Sequence, residues 1–209
     1  MNTTTSIRIL TVDDHPVLRE GIAAVLESEP DIVVVAEASN GQEAIEQFRT
    51  HHPDVTLMDL QMPVMNGTEA ILAIRKDFPD AHIIVLTTYS GDAQATRAFE
   101  AGASGYLLKN MLRKELVDTI RCVHGGKKRI PPEIAVEMAE HHADDALSER
   151  EIEVLRLVAA GSANKMVAAR LAISEETAKA HMRNILAKLG ANDRTHAVTI
   201  ALKRGIIEI

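Results

Sequence analysis

The sequence predicts an α/β fold followed by an all-α one: a doubly wound parallel five-stranded sheet, then a small four-helix domain. Three observations lead there. Five short β-branched runs alternate with amphipathic stretches through the first part of the chain, which is the signature of strands joined by crossover helices. Gly125-Gly126 and Pro131-Pro132 then break the pattern, and after them every periodic stretch is helical. The charge changes sign across the same break. Residues 1–126 carry a net −8, residues 127–145 a net −2 and residues 146–209 a net +3, so two domains with different partners are expected.

The strand-like runs lie near residues 7–12, 32–38, 54–58, 82–87 and 105–109. Helix-like segments fall near 17–27, 42–50, 68–78, 93–101 and 113–124. Gly102 and Gly105 bracket one turn, as a helix C-cap and a strand entry require. Residues 127–145 are expected as a linker, with a short helix from residue 133 and a polar hinge, His141-His-Ala-Asp-Asp145. The adjacent histidines have no further ligand nearby and read as solvated linker. Beyond them helices are expected near 149–160, 165–171, 175–189 and 193–204.

Composition excludes several classes. The 209 residues are 25% charged, an ordinary soluble balance. Aromatics are 2% with no Trp, which argues against stacking platforms for single-stranded nucleic acid. The single Cys122 makes no internal disulfide, and no Cys/His cluster has zinc spacing. No GxGxxG or GxxxxGK[ST] occurs. The N-terminus has no basic region before Asp13-Asp14, and no apolar run approaches the roughly 20 residues of a membrane span. A cytoplasmic protein with no membrane partner is expected.

One stretch organises the rest: Val55-Thr-Leu-Met-Asp-Leu-Gln-Met-Pro-Val-Met-Asn-Gly67. Its apolar run delivers Asp59 to a loop at the carboxyl edge of a buried strand, where open α/β sheets bind ligands. The other strands bring polar groups to the same edge. The first ends in Asp13-Asp14, the fourth in Thr87-Thr88 and the fifth in Lys109. Three converging carboxylates repel one another, and a hard divalent cation such as Mg2+ relieves that repulsion. Lys109 adds a fixed positive charge and Thr87 a hydroxyl donor, a set suited to stabilising a phosphoryl group on Asp59. The plainer alternative is that Asp13 and Asp14 cap the next helix and Lys109 is a solvated side chain.

Through these residues the first part of the chain, 7–124, resembles a response-regulator receiver domain. The matching elements are Val12-Asp-Asp14, Met58-Asp59, Met62-Pro63 with Asn66-Gly67, Thr87-Thr88 and Tyr106-Leu-Leu-Lys109. The resemblance implies a flavodoxin-like sheet and a phosphoacceptor, Asp59, charged by a sensor histidine kinase. It implies Mg2+ held by Asp14, Asp59 and the backbone carbonyl of Gln61, with Asp13 acting through water. Thr87 and Tyr106 would be the switch pair, the ring rotating inward on phosphorylation. Gln61 and Tyr89 would tune dephosphorylation, and self-catalysed phosphoryl uptake and release would be the only chemistry. Asn110 follows Lys109 where many receivers have proline. Phosphatases of the haloacid-dehalogenase type also use an aspartyl nucleophile, but they need a second Asp two residues later, where this chain has Gln61.

In the tail, Ser148 and Glu151 stand at capping-box spacing and Ser174 reads as a second N-cap. Two short helices separated near Ala172-Ile173 form a helix-turn-helix layout. Across residues 175–189, Ala178, Met182, Ile185, Leu186 and Leu189 make an apolar stripe. Glu176, Lys179, Ala180, Arg183 and Ala187 share another face, with alanines small enough to let a helix sink into a major groove. Thr177, His181, Asn184 and Lys188 form a flank suited to phosphate oxygens. A solvated amphipathic helix in a small bundle has the same pattern.

Residues 147–207 resemble a LuxR-type (NarL/FixJ) DNA-binding domain. The stretches that match are Leu147-Ser-x-Arg-Glu-x-Glu-Val-Leu155, Asn164-Lys165, Ile173-Ser-x-x-Thr177, Lys179-x-His181, Lys188-Leu-Gly190 and Asp193-Arg194. The resemblance implies base-edge contacts by Lys179, Ala180 and Arg183. Thr177, His181, Lys188, Asn164 and Lys165 would meet the backbone of double-stranded promoter DNA, and residues 193–204 would form a dimer helix. Two positions depart from the family. Ala163 and Met166 replace the outer pair of a capping box, and Ala178 stands where valine is usual, so a weakened domain that leans on dimerisation is expected. Taken together, residues 1–126, 127–145 and 146–209 read as receiver, linker and DNA-binding domain of a two-component transcription factor, with a homodimer on activation. A phosphorylation-independent DNA binder, or a module acting only through protein contacts, would share much of this sequence.

Overall fold

The computed structural model describes residues 6–88, 91–140 and 147–207. The chain divides into two compact units, one built on a β-sheet and one on C-terminal helices.

The sheet contains β1 (Ile7–Val12), β2 (Ile32–Ala38), β3 (Val55–Asp59), β4 (Ile83–Thr87) and β5 (Gly105–Leu108). All neighbours are parallel and the order is β2-β1-β3-β4-β5, the doubly wound flavodoxin-like arrangement. The crossovers carry α1 (Pro16–Leu26), α2 (Gly41–His51), α3 (Gly67–Asp77) and α4 (Asp92–Ala101), and α5 (Leu112–His124) follows β5. Every residue of β3 and β4 is buried, as strands covered on both faces must be, and this is why they read as unbroken apolar runs. One core cluster joins Ile9, Leu57, Leu86 and Leu107 of the sheet to Ile22 of α1 and Ile120 and Val123 of α5. Each such side chain contributes about 1.5–3 kcal/mol of burial.

The expected elements are all present, with ends shifted by a residue or so. One shift has consequences. Lys109 was expected to close the fifth strand, but the last β4–β5 pair is Thr87 with Leu108, and Lys109 opens a single 3₁₀ turn, Lys109–Met111. With β4 ended, the ladder offers Lys109 no partner, and its backbone turns away from the sheet. A second difference lies beyond α5. Tyr106 N donates to Arg129 O at 2.9 Å, and Arg129 N donates to Ser104 O at 3.0 Å, so Arg129 runs parallel beside β5.

The loop after β3 is fixed at its far end by Asn66. Its side chain accepts from Glu69 N and the Glu69 carboxylate accepts from Asn66 N, a reciprocal capping box that starts α3. Gly67 follows, and its N–H donates to Leu60 O at 3.0 Å. A Cβ at Gly67 would overlap the backbone carbonyl of Asp59, so this glycine is what lets the loop fold back against β3.

The second unit contains α6 (Pro132–Glu140), α7 (Glu149–Ala159), α8 (Asn164–Leu171), α9 (Glu175–Leu189) and α10 (Arg194–Lys203). The expected hinge at 141–145 lies outside the described residues. Val154, Leu155, Val167, Ala178, Met182, Ile185, Leu189 and Ala197 form the core of α7–α10. Ser148 and Glu151 make both bonds of the expected capping box on α7, and Ser174 caps α9 through Thr177 N. Between α8 and α9 the chain reverses at Ala172, in a left-handed conformation with φ 52°. The N-cap of α8 is Ala163, which offers no side-chain bond, so Ser162 does not take over the missing cap.

Three substitutions test these packing arguments by urea titration. Gly67→Ala is expected to cost at least about 2 kcal/mol because backbone must move, whereas Gly21→Ala, in an open helical position, should gain about 0.5–1 kcal/mol. Ala163→Ser should stabilise the helical unit by about 1 kcal/mol, and no gain would show that α8 needs no cap.

Candidate functional site

The register of the sheet assembles the acidic cluster. Val12 pairs with Met58 and Asp59 with Leu86, so Asp13 leaves β1 beside Asp59, and Thr87 leaves β4 one residue further on. Asp13, Asp59 and Thr87 are all buried. Lys109 closes the group from the turn after β5. Its Nζ lies 2.7 Å from Asp13 Oδ2 and 2.9 Å from Asp59 Oδ2. Gln61 N approaches Asp59 Oδ1 at 3.4 Å. On the other side, Arg19 Nη1 donates to Asp13 O at 2.7 Å and its Nε to Glu37 at 2.9 Å, which anchors the loop after β1 to α1.

Asp13 and Asp14 do not cap α1. The N-cap is His15, with no side-chain capping bond. Asp13 Oδ1 instead accepts from His15 N at 2.9 Å, and the carboxylates face the cluster. Asp14 Oδ1 and Asp13 Oδ2 are enclosed and have no hydrogen-bond partner in proper geometry, although Nζ of Lys109 is an ionic neighbour of the latter. Enclosed carboxylates that share one ammonium are costly, and a divalent cation is a group that would relieve them. Asp13, Asp14, His15 and Asp59 each offer a donor atom, all within 4.8 Å of one another, so the cluster could hold such an ion.

Burial is the largest influence on Asp59 and raises its pKa; Lys109 opposes this, Asp13 adds to it, and the carboxyl stays above its ordinary value. Burial works against the charge on Lys109, but close contact with Asp13 and Asp59 outweighs it and holds the ammonium above the usual lysine range. One ammonium shared by two carboxylates favours its own charge more than it favours either partner's. Beside this group, Tyr106 is fully buried. Burial pushes its phenol well up, partly offset by a hydrogen bond with Thr87. The expected switch pair is therefore in contact, with the ring inward. Tyr89 lies outside the described residues, and Asn110 is exposed.

In the helical unit, the expected faces of α9 separate cleanly. Ala178, Met182, Ile185 and Leu189 are buried, while Glu176, Thr177, Lys179, Arg183, Asn184 and Ala187 are exposed and Ala180 and His181 half-buried. Lys179 sits 3.4 Å from Glu175 and 3.7 Å from Glu176. Such exposed helical pairs are worth only about 0.3–0.5 kcal/mol, so a stronger anion would displace them. Asn164 and Lys165 open α8, Lys165 exposed and Asn164 half-buried. Lys188 is placed differently from a solvated phosphate contact. Its Nζ donates to Glu151 Oε2 at 2.8 Å, and Glu151 is itself buried and bonded to Ser148. Sequence reading also missed two braces. Arg150 Nη2 donates to Leu171 O at 2.6 Å and Arg194 Nη2 to Ser162 O at 2.8 Å, each gripping one end of α8.

The sequence matches the response regulator receiver domain over residues 9–121 and the luxR family of bacterial regulatory proteins over residues 145–201. The chain belongs to the response-regulator family. It is of the NarL/FixJ type, joining a receiver to a LuxR-type helix-turn-helix domain. It is 38% identical to the transcriptional regulatory protein LnrK of Bacillus subtilis (strain 168) over 216 residues, covering 96% of this chain and 98% of that one. Among solved structures it is similar to a LuxR-family two-component response regulator from Aurantimonas sp. SI85-9A1, with 43% identity and a TM-score of 0.62 over 65% of this chain and 97% of that one. It is also similar to RcsB from Salmonella enterica serovar Typhimurium, solved bound to a promoter in the presence of phosphomimetic BeF3-. That likeness has 27% identity and a TM-score of 0.68, covering 95% of this response regulator and 99% of RcsB. The receiver architecture and its acidic cluster are consistent with self-catalysed phosphoryl uptake and release. Among its described residues no helix is long and apolar enough to cross a membrane.

Two pH dependences follow. A carboxyl whose folded pKa is raised weakens the fold progressively as pH rises from its unfolded value through the raised one, and it contributes nothing where both states are protonated. Asp59→Asn should therefore stabilise the metal-free protein at neutral pH, and the gain should shrink as pH falls through the raised pKa toward the unfolded value of 3.8. Glu151 is the opposite case. Burial would raise it, but Lys188 and Ser148 hold it below its ordinary 4.5, so its contribution is present above that value and lost as pH falls through the lowered one. Glu151→Gln should cost about 2 kcal/mol at neutral pH and progressively less in acid. Denaturant titrations across pH measure both, and a pH-independent difference would refute either assignment.

Proposed function

We propose that the response regulator takes a phosphoryl group onto Asp59 from a sensor histidine kinase, and that this switches dimerisation and binding of promoter DNA. The observation that carries the reading is the buried contact of Asp59 with Lys109, next to Asp13 and Thr87. In the transfer, a carboxylate oxygen of Asp59 forms a bond to phosphorus as the P–N bond to the kinase histidine breaks. Lys109 already lies against that carboxylate and would neutralise charge growing on the phosphoryl oxygens. Asp13, Asp14, Asp59 and the backbone carbonyl of Gln61 would hold Mg2+, a fit supported by the gathering of three carboxylates within 4.8 Å of one another around a single ammonium. When bound, Mg2+ supplies charge neutralisation and a fixed orientation for the transferred group. The Thr87 hydroxyl would then exchange its bond with Tyr106 for one to the phosphoryl group, biasing the elements around it.

In this reading residues 1–126 are the receiver, 127–145 the linker and 146–209 the DNA-binding domain. α9 enters a major groove, with Lys179, Ala180 and Arg183 at base edges and Thr177, His181 and Lys188 toward phosphates, joined by Asn164 and Lys165 from α8. For Lys188 this requires the amine to serve Glu151 and a phosphate together. A homodimer through α10 would place two copies of α9 on two half-sites. The promoter-bound, BeF3--treated state of RcsB supports the coupling of phosphorylation to DNA.

Intact mass after incubation with Mg2+ and acetyl phosphate is the first test. One phosphoryl gain in wild type and none in Asp59→Asn is expected; a gain in both would mean that another residue is the acceptor. On promoter DNA, Arg183→Ala should lose about 1–3 kcal/mol and relax specificity. Lys165→Ala should reduce the slope of log affinity against log salt by about one, and an unchanged slope would remove it from the interface.

A further inference from the structure

At the amino edge of the sheet, opposite the acidic cluster, lies a cavity of about 200 Å³. It is bounded by the end of α3, the entries to β4 and β5, and the segment that leaves α5. Arg75, Lys127 and Lys128 line it, together with His82, Ser104 and a single acid, Asp80. Three permanent cations against one carboxylate reverse the local sign in a unit whose first 126 residues carry a net −8. Among the described residues none of the three makes an ion pair, whereas Arg49, Arg121 and Arg129 at the same edge are each matched to a carboxylate. Lys128 Nζ stands 6.0 Å from the Phe99 ring centre, a weak contact that leaves its charge in place.

These cations are not needed to close helix ends. At the end of α5, Arg121 O, Cys122 O and Val123 O accept from Gly125 N, Lys127 N and Gly126 N at 3.0, 3.2 and 2.9 Å. In α3, Ile74 O accepts from Phe78 N at 2.8 Å. Backbone donors thus satisfy the terminal carbonyls, and the basic side chains stay available. Arg75 is also held in place. Its Nη1 donates to Ala81 O at 3.2 Å, and its stem lies across Gly102, where a Cβ would meet Arg75 Cγ at 2.9 Å and Nε at 2.7 Å. A guanidinium anchored this way keeps other N–H groups for an anion and loses little freedom on binding one.

We propose that this cavity binds a small phosphate dianion, free or as the monoester of a small hydroxylated molecule. The planar fork of Arg75 suits two phosphate oxygens. Lys127 and Lys128 add point charges, and Ser104 adds a hydroxyl donor. Asp80 repels a phosphate oxygen but accepts from a hydroxyl on an ester. The volume is below the roughly 300–1,000 Å³ of drug-sized sites, so the occupant is small. A polyanion such as DNA is repelled by the acidic surroundings. The bound phosphate fastens the segment leaving α5 to α3, just before Arg129 runs beside β5.

The test uses the full chain without Mg2+, so that no metal at the acidic cluster recruits phosphate. Inorganic phosphate and glycerol 3-phosphate are titrated into wild type, Arg75→Gln, Asp80→Ala and the double variant Lys127→Ala/Lys128→Ala. Sodium chloride at matched ionic strength is the reference, and backbone amide shifts are read by nuclear magnetic resonance. The amides of Ser104, Gly126 and Lys127 should shift saturably in wild type. Affinity should fall at least about tenfold in Arg75→Gln and in the double variant, whose exposed lysines can be removed without disturbing the core. Tighter binding of glycerol 3-phosphate, with the preference lost in Asp80→Ala, identifies a hydroxylated monoester; equal binding identifies free phosphate. Shifts no larger than those in chloride would be screening only and would overturn the site, as would equal affinity in wild type and the double variant. Shifts confined to α8 and α9 would place phosphate on the other unit and overturn it too.

Discussion

Everything at the sheet's carboxyl edge depends on one ammonium group between two buried carboxylates. Lys109 reaches both Asp13 and Asp59 within 2.9 Å, and both acids are almost wholly withdrawn from water. Removing charges from water costs several kcal/mol per ion unless a close counter-charge compensates. The three groups come from β1, β3 and the turn after β5, so the pairing exists only when the central strands are in register. Sheet assembly and site assembly are therefore one event. Because a single ammonium cannot fully serve two acids, the pocket keeps an unmet demand for positive charge. That imbalance makes it a place that could hold a cation.

The helical unit repeats the logic on a smaller scale. Glu151 is buried, and it is kept charged by the backbone and hydroxyl of Ser148 and by the Lys188 ammonium. This cap ties the first turn of α7 to the end of α9, while Arg150 and Arg194 grip the two ends of α8 through the carbonyls of Leu171 and Ser162. The unit thus holds α9 through Lys188 and both ends of α8 through arginines, and leaves α8 without a side-chain cap.

Much of this was legible in the sequence. The five β-branched runs, the helical periods between them, the Ser148–Glu151 box and the Ser174 cap are local patterns that the chain cannot satisfy in many other ways. That Asp13, Asp59, Thr87 and Lys109 meet also followed, because the carboxyl ends of parallel strands share an edge. The Asn66–Glu69 box is equally legible from its spacing. Lys188 was harder. Its position on a polar flank of α9 is correct, but nothing local says that a buried glutamate 37 residues earlier holds its amine.

Periodicity and turn chemistry determined which segments become strands and helices, since those preferences act within a few residues. Tertiary structure decided where the chain leaves the sheet, as at Lys109, and which later segment lies along its edge, as at Arg129. It also decided that Thr87 and Tyr106 share a hydrogen bond and that the imidazole of His15 turns toward the carboxylates rather than away. Each of these outcomes rests on strand register or on a side-chain direction set by a distant backbone. A pattern of residue types specifies what a segment is, but the partner that satisfies a buried charge is fixed only when the packed chain has brought the candidates together.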